Sequence, residues 1–172
     1  NGPVDFHAMA VSPVNPNLVY GWYQGNLQRS TDQGKTWEIV NRDLLPVYLA
    51  GDTQDENIVY AATPRGQGVM VSRDKGVGWN SLSPELEGGA VSVIAVHPKD
   101  ANILLVFSEK LGGLGKSRDQ GKTWQGVNES FNGETVLHIA FDRNNPDIVY
   151  ALTHENKLYK SINAGDAWSL IR

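Results

Sequence analysis

The chain has 172 residues, a formal net charge of −4 and no cysteine, so it has neither a disulfide framework nor thiol chemistry. No apolar run approaches the roughly 18 residues of a membrane-crossing helix. No basic cluster is present, which disfavours nucleic acid and anionic membrane as partners.

Glycine and proline cluster between short apolar runs, the distribution expected of many short strands joined by turns. In chain order the first group of strands is Phe6–Val11, Leu18–Tyr23, Leu27–Ser30 and Thr36–Val40. The second is Val47–Ala50, Ile58–Thr63, Gly68–Ser72 and Gly78–Leu82. The third is Val91–Val96, Ile103–Ser108, Leu114–Ser117 and Thr123–Val127, and the fourth is Val136–Phe141, Ile148–Thr153, Lys157–Ser161 and Ala167–Ile171. Turn chemistry separates the first two strands of each group, as in Pro13-Val14-Asn15-Pro16-Asn17 and Arg143-Asn144-Asn145-Pro146-Asp147. No long stretch carries a helical period.

An octet recurs once per group. Ser30-Thr31-Asp32-Gln33-Gly34-Lys35-Thr36-Trp37 returns nearly unchanged as Ser117-Arg118-Asp119-Gln120-Gly121-Lys122-Thr123-Trp124. Looser copies run from Ser72 through Asp74 and Gly76 to Trp79, and from Ser161 through Asn163 and Gly165 to Trp168. The tryptophans are 42, 45 and 44 residues apart, a period that marks a repeat architecture. Four short antiparallel strands repeated radially make a β-propeller blade. Stacking blades about an axis covers both apolar faces of each and leaves only short edges. A flat solenoid of strands is the competing arrangement, but its coils are usually shorter than about 40 residues. The expected fold is therefore all-β, with four blades near residues 5–42, 43–83, 88–129 and 134–172.

The octet is readable as a hairpin clasp. Aspartate accepts hydrogen bonds from nearby backbone N–H groups, glycine takes the left-handed conformation of a tight turn, and the Thr36 and Thr123 hydroxyls tie across it. Tryptophan offers a large apolar face to the neighbouring blade and an indole N–H that needs a partner. Asn163 keeps the turn-forming oxygen; Ala167 and Gly78 lack the hydroxyl, leaving the fourth unit the least tightly fastened. Four copies of one residue set point to architecture rather than to a metal site or an active centre.

Antiparallel strands sort the loops onto two ends of the blades. The octets share one end with the loops between first and second strands. The opposite end carries irregular loops, where binding residues usually lie. Tyr23, Arg65, Glu109 and His154 are the binding candidates there, and Glu109 and Glu155 are the candidate catalytic pair, with Arg65 facing them. Paired carboxylates serve as acid and base in glycoside cleavage. The four histidines show no metal-ligand spacing, and no motif calls for a cofactor. Asn128-Glu129-Ser130 is one glycosylation sequon.

The octet resembles the Asp-box, or BNR repeat, of the sialidase-like superfamily. The run Asn15-Pro16-Asn17-Leu18-Val19-Tyr20 with the octet is most similar to secreted prokaryotic BNR-repeat proteins labelled glycosyl hydrolases, to photosystem II stability factors and to xyloglucanases. Sialidase activity would require an arginine triad and an Arg-Ile-Pro motif that are absent, and a sortilin-type receptor would require cysteines. No catalytic aspartate of the xyloglucanases carries over to a matching motif here. The resemblance implies an extracytoplasmic binding or assembly module for a protein or glycan. The alternative is a glycoside hydrolase acting on carbohydrate. The units run from a first strand to a fourth, so closure by a strand borrowed from the other terminus is not expected. The blades then form a ring of four, join further blades of a longer chain, or pair with a second copy through two open apolar faces.

Overall fold

The computed structural model describes residues 5–64, 66–127 and 131–172. Arg65 and the sequon Asn128-Glu129-Ser130 lie outside the described residues. Sixteen strands among those described form four antiparallel sheets, each a meander in chain order. Blade 1 holds β1 (Ala8–Val11), β2 (Val19–Tyr23), β3 (Asn26–Ser30) and β4 (Glu38–Asn41). Blade 2 holds β5 (Tyr48–Gly51), β6 (Val59–Ala62), β7 (Val69–Ser72) and β8 (Asn80–Ser81). Blade 3 holds β9 (Val91–Val96), β10 (Leu104–Ser108), β11 (Gly113–Ser117) and β12 (Gln125–Gly126). Blade 4 holds β13 (Val136–Phe141), β14 (Val149–Thr153), β15 (Leu158–Ser161) and β16 (Ser169–Leu170).

Every expected strand is present, but the fourth strands start later than the sequence suggests. Thr36-Trp37 and Thr123-Trp124 belong to the turn rather than to β4 and β12. The N–H of each threonine is held by the octet's own aspartate, which draws it out of the ladder. The first strand likewise begins at Ala8 rather than Phe6, although His7 N–H still donates to the Trp22 carbonyl.

The first strands lie side by side in the order β1, β5, β9, β13 and line the inside of an arc. The second strand of an inner blade is apolar on both faces, as in the fully buried Val-Tyr-Ala-Ala of β6, because a blade lies on either side. Outer strands β8, β12 and β16 are two residues long and exposed, which leaves little free edge.

Three cores fill the joints between blades. Tyr20, Leu27, Leu49 and Ala61 pack between blades 1 and 2. Tyr60, Val69, Ile94 and Val106 pack between blades 2 and 3. Val93, Leu105, Ile139 and Tyr159 pack between blades 3 and 4. Each buried aliphatic or aromatic side chain contributes about 1.5–3 kcal/mol. Each link between blades adds one apolar plug: Leu44, Leu86 and Phe131 enter the first, second and third cores in turn. Leu86 sits in a single 3-10 turn, Pro84–Leu86, opened by the Ser83 hydroxyl accepting from Glu85 N–H at 3.3 Å. No core joins blade 4 to blade 1 among the described residues. The outward sides of these two blades expose Leu152 and Met9 respectively.

Candidate functional site

The octets fold as the sequence implies, with the serine as an additional hub. Ser30 Oγ donates to Asp32 Oδ1 at 2.7 Å and accepts from Gly34 N–H at 2.8 Å. Asp32 Oδ1 accepts from Thr36 N–H at 2.8 Å, and its Oδ2 accepts from the Thr36 hydroxyl at 2.7 Å. The Trp37 indole closes the clasp by donating to the Gly34 carbonyl at 3.0 Å. The same set recurs at Ser117, Asp119, Gly121, Thr123 and Trp124. In blade 2, Gly78 N–H donates to both Asp74 oxygens while Ser72, Gly76 and Trp79 keep their places. In blade 4, Asn163 retains the Ala167 N–H bond at 2.9 Å, and Ser161, Gly165 and Trp168 keep theirs. The residue before each glycine is also left-handed, with φ of 65° at Gln33 and 52° at Ala164. Trp79, Trp124 and Trp168 each pack on the core shared with the preceding blade; Trp37 packs on Phe6 instead.

These bonds hold the carboxylates in their charged form. Donation from Thr36 N–H, then from the Thr36 and Ser30 hydroxyls, lowers the Asp32 pKa to about 2. The Thr123 hydroxyl and N–H lower Asp119 to about 2 as well. Both carboxylate oxygens of Asp32 and of Asp119 are thus committed to their own hairpins.

A second recurring clasp escaped the sequence reading. Ser12, Asp52, His97 and Asp142 hold equivalent places at the ends of the first strands. Asp52 Oδ1 accepts from Gln54 and Asp55 N–H, His97 Nδ1 from Lys99 and Asp100 N–H, and Asp142 Oδ1 from Asn144 and Asn145 N–H. Ser12 Oγ accepts from Asn15 N–H at 3.2 Å. Burial pushes the His97 pKa below the usual histidine value, in keeping with its role as an acceptor. Three residue types share the task, with aspartate at only two of the four places, so no fixed letter advertised it. The loops they fasten then bind the octets: the N–H groups of Gln33, Lys75, Gln120 and Ala164 donate to the carbonyls of Asn17, Asn57, Asn102 and Asp147. The two loop sets therefore share one end of the blades, as expected.

At the opposite end the candidate residues are separate. Tyr23 is half-buried and meets Phe6 edge-on at 6.3 Å. Glu109 Oε2 accepts from Ala90 N–H at 3.1 Å, and Glu109 N–H donates to the Ala90 carbonyl. His154 repeats this in blade 4: its Nδ1 accepts from Thr135 N–H at 3.1 Å while its N–H donates to the Thr135 carbonyl. The counterpart of Glu109 is thus His154, one residue away from the expected Glu155. Glu155 contacts His154 Nε2 at 3.3 Å. Glu109 borders a hollow of about 320 Å³ with Phe107, Ser92 and Thr135, which Glu155 does not line. Arg65 lies outside the described residues. Glu134, unforeseen in the sequence, is 8% exposed, accepts from the Thr153 hydroxyl at 2.6 Å and pairs with Lys157. Lys157 and then Thr153 lower its pKa. No group of three metal-ligating side chains occurs among the described residues.

The larger concavity opens at the other end, beside the Asp-box hairpins. It measures about 530 Å³ and is formed by all four first strands and the loops that follow them. Tyr48, Ala50, Ile94 and Phe141 line its wall, and the exposed cations Lys99 and Arg143 stand at its rim. Lys99 Nζ donates to the Asn144 carbonyl of the next blade at 3.0 Å. Toward the starts of the strands, Tyr48 of blade 2 reaches His138 of blade 4, with hydroxyl and Nδ1 3.0 Å apart. The larger of the two hollows therefore opens at the end with the repetitive loops, and the smaller at the end with the irregular ones. The loops there are repetitive, but the arc of first strands makes them converge on a cleft. No tryptophan lines it among the described residues.

The comparisons agree with this architecture. Residues 28–38 match the BNR/Asp-box repeat. The xyloglucanase Xgh74A of Acetivibrio thermocellus is 34% identical over 98 residues, which covers 44% of this chain and 11% of the enzyme. The Niastella koreensis GH74 enzyme superposes with a TM-score of 0.78 at 18% identity, covering 96% of this chain and 30% of the enzyme. YCF48 bound to a D1 peptide superposes with a TM-score of 0.62 at 16% identity, covering 98% of this chain and 54% of YCF48. The chain thus spans a minor part of the xyloglucanase and about half of YCF48. No helix among the described residues is long and apolar enough to cross a membrane. Residues 28–38 thus carry an Asp-box match, and the chain as a whole has the fold of β-propeller blades.

Proposed function

We propose that the chain is a non-enzymatic binding module that seats an extended protein segment in the cleft between its first strands, in an extracytoplasmic space. The observation that carries this reading is the cleft itself: Tyr48, Ala50, Ile94 and Phe141 along its wall, with Lys99 and Arg143 at one rim. Such a site suits a segment that alternates apolar side chains with carboxylates. A glycan would favour aromatic platforms and dense hydrogen-bonding groups, and the five tryptophans are spent elsewhere. The likeness to YCF48 bound to a peptide supports a protein ligand.

A second reading, glycoside hydrolysis, is favoured by the 34% identity to a xyloglucanase. It would need an acid and a base near a sugar site, and Glu109 and Glu155 are the carboxylates available to it at the opposite end. The test is one preparation assayed against two panels. Extended peptides bearing carboxylates should bind, and Arg143→Glu or Lys99→Glu should each weaken binding about tenfold or more. Xyloglucan and other oligosaccharides should remain intact. Cleavage of a glycan that disappears in Glu109→Gln or Glu155→Gln would overturn the binding reading.

A further inference from the structure

The four loops that follow the first strands are fastened alike, except for the chemistry of one acceptor. Asp52 and Asp142 each hold two following N–H groups with a carboxylate oxygen, and Ser12 holds one with its hydroxyl. His97 uses an imidazole nitrogen. Its Nδ1 accepts from Lys99 N–H at 3.2 Å and from Asp100 N–H at 3.0 Å. A nitrogen that accepts carries no proton, so this cap exists only while the ring is neutral. A proton on Nδ1 turns the acceptor into a donor that faces two other donors.

The ring is buried where three blades meet. Phe141 of blade 4 stands edge-on to it at 5.2 Å, and the Thr53 hydroxyl of blade 2 donates to the His97 carbonyl at 2.9 Å. The charged groups that face it are Asp100 and Lys99 on its own loop, Lys116 on β11 and Asp147 on the loop after β13. Lys116 is itself paired with Asp166 at 2.8 Å. The two carboxylates favour the protonated ring and the two ammonium groups oppose it, while burial, the largest influence, keeps it neutral. Thr53, Pro98, Lys99 and Phe141 also line the larger cleft, so the cap and the cleft share a wall. From the capped loop, Lys99 Nζ spans the rim to the Asn144 carbonyl at 3.0 Å.

We propose that His97 is an acid-sensitive latch on the rim of this cleft. On acidification a proton from solvent binds Nδ1, both N–H bonds are lost, and the loop from Pro98 to Asn102 leaves its place with Lys99. The cleft then loses one of its two rim cations and the ordered edge beside Phe141. The other three loops keep their caps over the same range, since a hydroxyl does not titrate there and carboxylates lose their charge only in stronger acid. Asp142 is held still lower by the Asn145 and Asn144 N–H groups. The latch is a property of the free chain; release of a peptide by acid rests in addition on the binding role proposed above.

An NMR titration of the ligand-free chain from about pH 7.5 to about pH 4.5 tests the latch. The Lys99 and Asp100 amide signals should move with the His97 ring signal, at a midpoint below the ordinary 6.5, and lose protection from solvent exchange through the same midpoint. The Gln54, Asp55, Asn144 and Asn145 amides should not share that step. His97→Asn and His97→Asp keep an oxygen for the two N–H groups and should abolish it. Lys99 and Asp100 amides that ignore the His97 titration, or a step that persists in both variants, would overturn the proposal. A carboxylate-bearing peptide bound at about pH 7.5 should bind about tenfold more weakly one unit below the midpoint, where about a tenth of the chains stay latched. The same peptide should lose much less on His97→Asn. Equal losses in the two chains would overturn the link between latch and cleft. Absence of peptide binding at every pH would count against the binding role alone, and the amide titration would still decide the latch.

Discussion

At the scale of the residue, the Asp-box is a device for keeping a carboxylate charged and occupied. Asp32 and Asp119 sit at about 2 in the fold against an ordinary value of 3.8. A depressed carboxylate contributes stability above its unfolded pKa and loses it as pH falls through its folded one. The fold should therefore weaken between about pH 4 and about pH 2 through these two groups. Asn163 shows that an amide can hold the same turn without titrating. Asp119→Asn should accordingly lower the thermal midpoint at neutral pH and lose less on acidification, so that the gap from wild type narrows toward pH 2. Circular dichroism melts across that range measure it. A gap that stays constant with pH would mean that the Asp119 charge has no part in the clasp.

At the scale of the element, the unit is the joint, and the links plug it. Leu86 is fully buried between blades 2 and 3. Its truncation to alanine leaves a cavity in a close-packed core and should cost about 2–5 kcal/mol. Leu45, 43% exposed in another link, should change stability by less than about 0.5 kcal/mol when cut to alanine. Chemical denaturation of both variants compares them directly; equal losses would contradict the plug assignment. The strands were legible in the sequence because β-branched and aromatic runs sit between Pro, Gly and Asn turns. The starts of the fourth strands were not, because Thr36 and Trp37 read as strand formers while Asp32 holds the Thr36 N–H in the turn and the Trp37 indole is tied to Gly34. The caps of the first-to-second-strand loops were hidden for another reason: Ser12, Asp52, His97 and Asp142 do one job with three chemistries. Glu109 and His154 were both singled out. Their equivalence was missed because one is an acid and the other an imidazole, though each accepts from the N–H that precedes its blade's first strand.

At the scale of the whole molecule, the cleft depends on curvature, which a linear reading supplies least. The cleft gathers Tyr48, Ile94, Lys99, Phe141 and Arg143 from three blades, and no local pattern joins them. Arcs of first strands converge only once three joints fix the angle between blades, so the same cores that stabilise the fold also shape the site. The repetitive loops suggested architecture alone, and they are architecture, yet their rigid fastening is what leaves a defined concavity at that end. The opposite end has irregular loops and a smaller hollow beside Glu109. The proposed binding role turns on which end of the blades takes the ligand. Amide chemical-shift mapping with the tightest-binding member of the peptide panel answers this directly. Perturbations should centre on Tyr48, Ala50, Lys99, Phe141 and Arg143. Perturbations centred on Tyr23, Glu109 and His154 instead would contradict the account.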